Sequence, residues 1–157
     1  MRDPPLHEKA AFMALALRAG KGSGFVKVQL ADRFDDEHRG TDLFVVKRNG
    51  RGLRIDLTEG HRETVSRKFH RNRRFVKNGR GRWVWILRVS REDVIGIAAD
   101  PCFAQAWKRL KTYNPVAFSP QDICPEHGEK CSLVEKLSSL ARSLVFYLRK
   151  DYQALFE

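Results

Sequence analysis

The spacing of apolar and polar residues changes period several times along the chain, and each change marks an element. Leu6, Ala10, Met13 and Leu17 recur at helical spacing, with Glu8, Phe12 and Leu15 on a neighbouring face. Asp3 and two prolines open this helix, and Gly20 with Gly22 closes it. The period then drops to two. Residues 25–31, FVKVQLA, alternate as a half-buried strand does, and the acids Asp32, Asp35, Asp36 and Glu37 read as a loop. Residues 42–46, DLFVV, predict a second strand, Asn49-Gly50 a hairpin turn, and residues 53–58, LRIDLT, a third strand. Leu53, Ile55 and Leu57 share one face of that strand, and Arg54, Asp56 and Thr58 share the other.

From His61 to Lys77 the period is helical again, with a narrow stripe of Val65, Phe69 and Val76 that Gly79 and Gly81 end. WVWILRV (83–89) is apolar on both faces, as a central strand is. Ser90 to Ala99 fits either a short strand or a helix. Asp100-Pro101 starts another helix, with Ala106, Trp107 and Leu110 facing inward. Residues 113–131 hold three prolines and no period, so they read as loop. Ser132 with Glu135 predicts a capping box. It opens a helix over 132–150, striped by Leu133, Leu137, Leu140, Leu144 and Leu148. The order is helix, three strands, helix, strand, helical tail. It predicts an α/β domain with a core over 1–99 and a helical extension over 100–157 packed on that core.

Composition narrows the class. At 157 residues the chain is one domain by default, and 42% hydrophobic residues suffice for a core. No run approaches the ~18 apolar residues of a membrane span. The first twenty residues carry acids, two prolines and a histidine, which makes a poor secretory signal, so a cytoplasmic or nucleoid-associated protein is expected. The cysteines number three, and reduced thiols or metal binding suit a cytosolic setting better than disulfides. The net charge of +11 is concentrated. Between Arg62 and Arg82 stand nine Lys or Arg against one acid, Glu63, while the remaining 136 residues carry 21 bases and 18 acids. So local a cluster points to a polyanion, because neutralised phosphates release counterions; nucleic acid is the expected partner rather than a membrane.

Asp42 and Asp56 stand on strands joined by the Asn49-Gly50 hairpin, so they can meet at one end of the sheet. Converging carboxylates offer hard oxygen ligands suited to Mg²⁺ or Mn²⁺, and Glu8 could add a third. On a solvated strand or in a turn, the same acids would carry no chemistry. The element order resembles the PD-(D/E)xK restriction-endonuclease-like superfamily. GTD (40–42) looks like its first acidic motif, IDLT (55–58) looks like its second, and Glu8 corresponds to a first-helix glutamate that many members carry. The resemblance covers about residues 6 to 90 and implies metal-dependent cleavage of DNA, in preference to RNA. It departs at Thr58, where the family has a lysine that positions the attacking water and steadies the transition state. Lys27, Lys47 and Lys68 are the candidate replacements, with Lys68 preferred because a helix packed on the sheet can aim it inward. Nucleases that cut both strands often work as homodimers, although no coiled-coil seam marks one here.

Arg62, Arg67, Lys68, Arg71, Arg73, Arg74, Lys77, Arg80 and Arg82 are the expected phosphate contacts, with GRGR (79–82) a basic turn able to follow a backbone. Phe69, Phe75 and Trp83 are expected to pack rather than to stack on bases, and His61 and His70 to lie at the surface. CPEHGEKC (124–131) contains C-P-x-H-G, which resembles a zinc-ribbon knuckle with histidine for the second cysteine. Cys102, Cys124, His127 and Cys131 would complete a Cys₃His set for structural Zn²⁺; reduced loop thiols are the alternative, and a Cys–His nucleophile a remote third. Beside the nuclease stand a binding protein on the same fold without catalysis, which Thr58 favours, and a small regulator that contacts a protein–nucleic-acid complex.

Overall fold

Strands that keep one face apolar need a layer of helices over it, and here a four-stranded sheet carries helices on both faces. The computed structural model describes residues 3–33, 40–60, 62–77 and 84–156. The elements run α1 (Leu6–Arg18), β1 (Lys27–Leu30), β2 (Leu43–Val46), β3 (Gly52–Thr58), α2 (Arg62–Lys77), β4 (Val84–Arg88), α3 (Arg91–Ala98), α4 (Phe103–Leu110), α5 (Pro120–Ile123), a 3-10 turn (Gly128–Lys130) and α6 (Ser132–Phe156). The strands lie in the order β1-β2-β3-β4. The first three form an antiparallel meander, and β4 joins β3 in parallel after the α2 crossover. The class is α/β. Asp35, Asp36, Glu37, His61, Gly79, Arg80, Gly81, Arg82 and Trp83 lie outside the described residues, as do the side chains of Arg62, Val65, Phe69, Arg73, Phe75, Val76, Lys77 and Leu148.

Alternation sorts the two faces. Leu43, Val45, Ile55, Leu57, Trp85 and Leu87 enter the main core. Arg54, Asp56 and Thr58, with Val84 and Ile86, take the opposite face, where α2 packs beside β4. Among the described residues, β4 (VWILR of that stretch) is therefore an edge strand and not a central one. It is apolar on both faces because α6 covers one side and α2 the other. At the opposite edge, Val28 bridges Val116 in antiparallel fashion and Gln29 Nε2 donates to the Tyr113 carbonyl at 2.8 Å. That contact closes an edge that would otherwise invite pairing with another chain.

Helix α1 is buried on every side from Ala10 to Leu17. It lies over β1 and β3 with α6 alongside. Phe12 meets Trp107 and Phe118 edge-on, with centroids 6.1 and 5.8 Å away. Leu133, Leu137, Leu140 and Leu144 belong to the same core cluster as α1, so the leucine stripe packs within its own chain. The ambiguous stretch 90–99 is helical. The 113–131 stretch is not all loop: it holds α5 and the 3-10 turn. A capping box occurs at Ser119 and Asp122. The one expected at Ser132 does not form, because Ser132 is already the first helical residue and Glu135 N–H donates to the Cys131 carbonyl at 3.1 Å; the Ser132 hydroxyl donates to Asp100 Oδ2 at 2.6 Å.

Because Phe12 joins the segments before and after residue 100, Phe12→Ala should lower the unfolding free energy by about 3–5 kcal/mol. Unfolding should remain one transition. Urea denaturation followed by both tryptophan fluorescence and far-UV circular dichroism checks this; two separate transitions would mean that the segment after residue 100 folds independently.

Candidate functional site at the end of β2 and β3

The Leu43–Ile55 pair is the last in the β2–β3 register, so Asp42 and Asp56 occupy the next step on neighbouring strands. Both are buried. At Asp42 the ladder changes character. Its amide donates to the Ile55 carbonyl at 2.7 Å, its carbonyl accepts from Ala31 N–H at 3.0 Å, and its Oδ2 accepts from Leu57 N–H at 2.7 Å. The carboxylate thus takes over as acceptor where β2 stops and the next β3 amide would lack a partner.

Asp56 faces α2. Lys68 Nζ lies 3.3 Å from both Oδ1 and Oδ2, with both side chains largely shielded from solvent. The other two candidate lysines are remote from this end. Lys27 pairs with Val46, four residues along β2 from Asp42, which is roughly 13 Å at the rise of a strand. Lys47 lies one residue further still.

Thr58 explains how α2 reaches this position. Its Oγ1 accepts from Gly60 N–H at 3.0 Å, forming a tight hydroxyl turn directly after β3. A Cβ on Gly60 would sit 2.8 Å from Thr64 Cβ, so only glycine lets the first turn of α2 approach so closely. Arg88 Nε fastens the same turn by donating to the Gly60 carbonyl at 3.0 Å. Thr58 is therefore a hinge pin for the helix that delivers Lys68 to Asp56. Glu8 is buried on the first turns of α1, and its neighbour His7 has Nδ1 3.7 Å from Glu59 Oε1, which places that end of α1 near the end of β3.

Exposed on α2 are Arg67, Arg71 and Arg74, at helical spacings of four and three. They form one stripe about 10 Å long, with the exposed His70 beside it. Lys68, next to Arg67, turns toward the sheet instead.

The carboxylate oxygens of Asp42 and Asp56 are hard donors that suit Mg²⁺, which commonly keeps several waters and takes one or two protein carboxylates. Among the described residues, however, Glu8, Asp42 and Asp56 do not gather three ligand oxygens within 4.8 Å; the group that meets this limit is Cys102, Cys124 and Cys131. Those sulfurs come from the start of α4, the end of α5 and the residue before α6. His127 is not brought into the group: its side chain is 66% exposed, with Nε2 3.8 Å from Glu126 Oε2. Burial, with Cys131 adding to it, pushes the Cys102 thiol up to about 11. Burial would raise Cys124 as well, but the backbone amides of His127, Glu126 and Gly128 and the Cys131 thiol bond to its sulfur and bring it below the usual thiol value.

Asp42→Ala should destabilise the fold by about 1–3 kcal/mol, because Leu57 N–H loses its buried acceptor. Asp42→Asn keeps an acceptor oxygen and should cost less than about 1 kcal/mol. Denaturant midpoints of the two variants check this; equal losses would mean that the charge, rather than the hydrogen bond, holds this end of β2. Comparison of the chain with protein-family models, with curated proteins and with solved structures finds no match.

Proposed function

We propose that the chain binds nucleic acid and hydrolyses phosphodiester bonds with a divalent metal, on a core built like that of the PD-(D/E)xK nucleases. The observation that carries this reading is the contact of Lys68 Nζ with both oxygens of Asp56. It sets a lysine from α2 beside an acid of β3, in a chain whose strand lacks the lysine two residues after that acid. The order helix, three strands, helix, strand supports the same reading.

In this reading Asp42 and Asp56 would hold Mg²⁺ or Mn²⁺, which would supply positive charge against the phosphate and make a water more acidic, while Glu8 is not gathered with them into one ligand set. Lys68 holds its ammonium at the reacting phosphate, where negative charge accumulates. Arg67, Arg71 and Arg74 clasp the backbone from the solvent side of α2, with Arg62, Arg73, Lys77, Arg80 and Arg82 extending the basic segment. In this reading recognition rests on charge and shape, with DNA preferred over RNA through the family resemblance alone.

A second reading keeps the binding and drops the chemistry. Two contacts favour it: Asp42 Oδ2 is already engaged by Leu57 N–H, and Asp56 is already paired with Lys68. A carboxylate pair satisfied in this way needs no metal to be stable in the interior.

Cleavage of plasmid, branched and single-stranded DNA with Mn²⁺ or Mg²⁺ separates the two. The nuclease reading expects nicking by the wild type and a loss of about 10²-fold or more in Asp56→Ala and in Lys68→Ala. Binding without cutting on every substrate, unaffected by either variant, would leave the second reading. For both, replacing Arg67, Arg71 and Arg74 together by Ala should weaken binding and reduce the slope of log affinity against log salt by about 2–3. An unchanged slope would remove α2 as the contact surface.

A further inference from the structure

The residues around the three cysteines are fixed by polar contacts that do not involve sulfur. Asp100, whose side chain is fully buried, accepts from Cys102 N–H at 3.0 Å through Oδ1. Its Oδ2 takes the Ser132 hydroxyl at 2.6 Å and Lys136 Nζ at 3.2 Å. One carboxylate thereby ties the chain at Cys102 to the first turn after Cys131. Arg109 holds the third segment: its guanidinium donates to the Asp122 and Ile123 carbonyls at 2.7 and 3.0 Å, immediately before Cys124. At the other end of α5 the Ser119–Asp122 capping box is complete, with Ser119 N–H on Asp122 Oδ2 at 2.8 Å and Asp122 N–H on Ser119 Oγ at 3.2 Å. A helix of four residues has no stability of its own, so both ends being fastened fixes where it points. It points Cys124 at the other two thiols.

All three Sγ atoms lie within 4.8 Å of one another, unlinked by disulfide. Around a tetrahedral zinc with Zn–S bonds of about 2.3 Å, sulfurs stand about 3.8 Å apart. The spacing therefore admits an ion just above the plane of the three sulfurs after adjustments of up to about 1 Å. Cys124 and Cys131 are buried and Cys102 half-buried. Thiolate ligands exclude Mg²⁺ and Ca²⁺ and select thiophilic cations.

We infer that Cys102, Cys124 and Cys131 form a three-thiolate Zn²⁺ site, separate from the carboxylate end of the sheet, with His127 outside the ligand set. Binding one Zn²⁺ releases the three thiol protons to solvent, and a small ligand such as water fills the fourth position. The ion locks α4, α5 and the start of α6 together. Phe118, between these segments, packs on Phe12, so the lock also steadies the cover over α1.

The test uses the full chain purified without chelator or added metal. The expected result is about one zinc per chain by mass spectrometry of the metal, and a thiolate-to-metal charge-transfer band when Co²⁺ replaces it. Three thiols should react with a disulfide reagent only after a chelator is added. Cys124→Ser and Cys131→Ser should each bind zinc at least tenfold more weakly, and His127→Ala should keep the wild-type stoichiometry and affinity. Should a serine variant fail to fold, the cobalt spectrum and thiol count of the wild type decide the matter alone. Metal-free protein giving no charge-transfer band with Co²⁺, an intact mass two hydrogens short that reveals a disulfide, or loss of zinc from His127→Ala would each overturn the three-thiolate assignment. None of these readouts depends on DNA cleavage.

Discussion

Helix α1 has almost no solvent face, and that burial governs the architecture. Eight consecutive residues, Ala10 to Leu17, are removed from water, and a helix apolar all round has to be surrounded. The sheet supplies one wall, through β1 and β3, and α6 another. Trp107 and Phe118 close over Phe12. The four alanines in this run give neighbouring backbones room to approach. The residues after 100 are thus needed to complete the core that the first helix demands, and they share its hydrophobic cluster.

On the opposite face of the sheet, polar groups shape the end where β2 and β3 meet α2. Asp42 is drawn into the strand ladder as a substitute acceptor, Asp56 is drawn to α2, and Thr58 and Gly60 set the angle at which α2 departs. Asp42 and Asp56 each have a structural partner at this end of the sheet. A carboxylate held by an amide through one oxygen still keeps a second oxygen of the same charge.

Much of this was legible in the sequence, and the limits follow from physics. The alternation in LRIDLT revealed which residues face the core, because one face is greasy and the other is not. The same rule failed for WVWILRV, since burial on two faces identifies helices above and below but does not separate a centre strand from a covered edge. Helix α5 was invisible because four residues cannot display a 3.6-residue period, although its Ser119, Pro120 and Asp122 were a signal for it. Lys68 could be named only as one of three lysines, because periodicity does not state how far a side chain reaches across to a sheet. The three cysteines were legible as a set. His127 was grouped with them by spacing alone, and spacing does not fix the direction in which a loop side chain leaves the backbone.

Chain order has a cost that the finished fold conceals. Asp56 and Lys68 are separated by 12 residues, so the carboxylate end of the sheet can close within a short stretch of nascent chain. Leu17 of α1 and Leu133 of α6, by contrast, share one core cluster and stand 116 positions apart. At ribosomal speeds of about 5–20 residues per second, the first helix waits roughly 6–23 s for the last. During that interval its apolar surface has only partial shelter, and newly made chains at high local concentration can meet through it. The helix that anchors the mature molecule is thus fully sheltered only once α6 has been made.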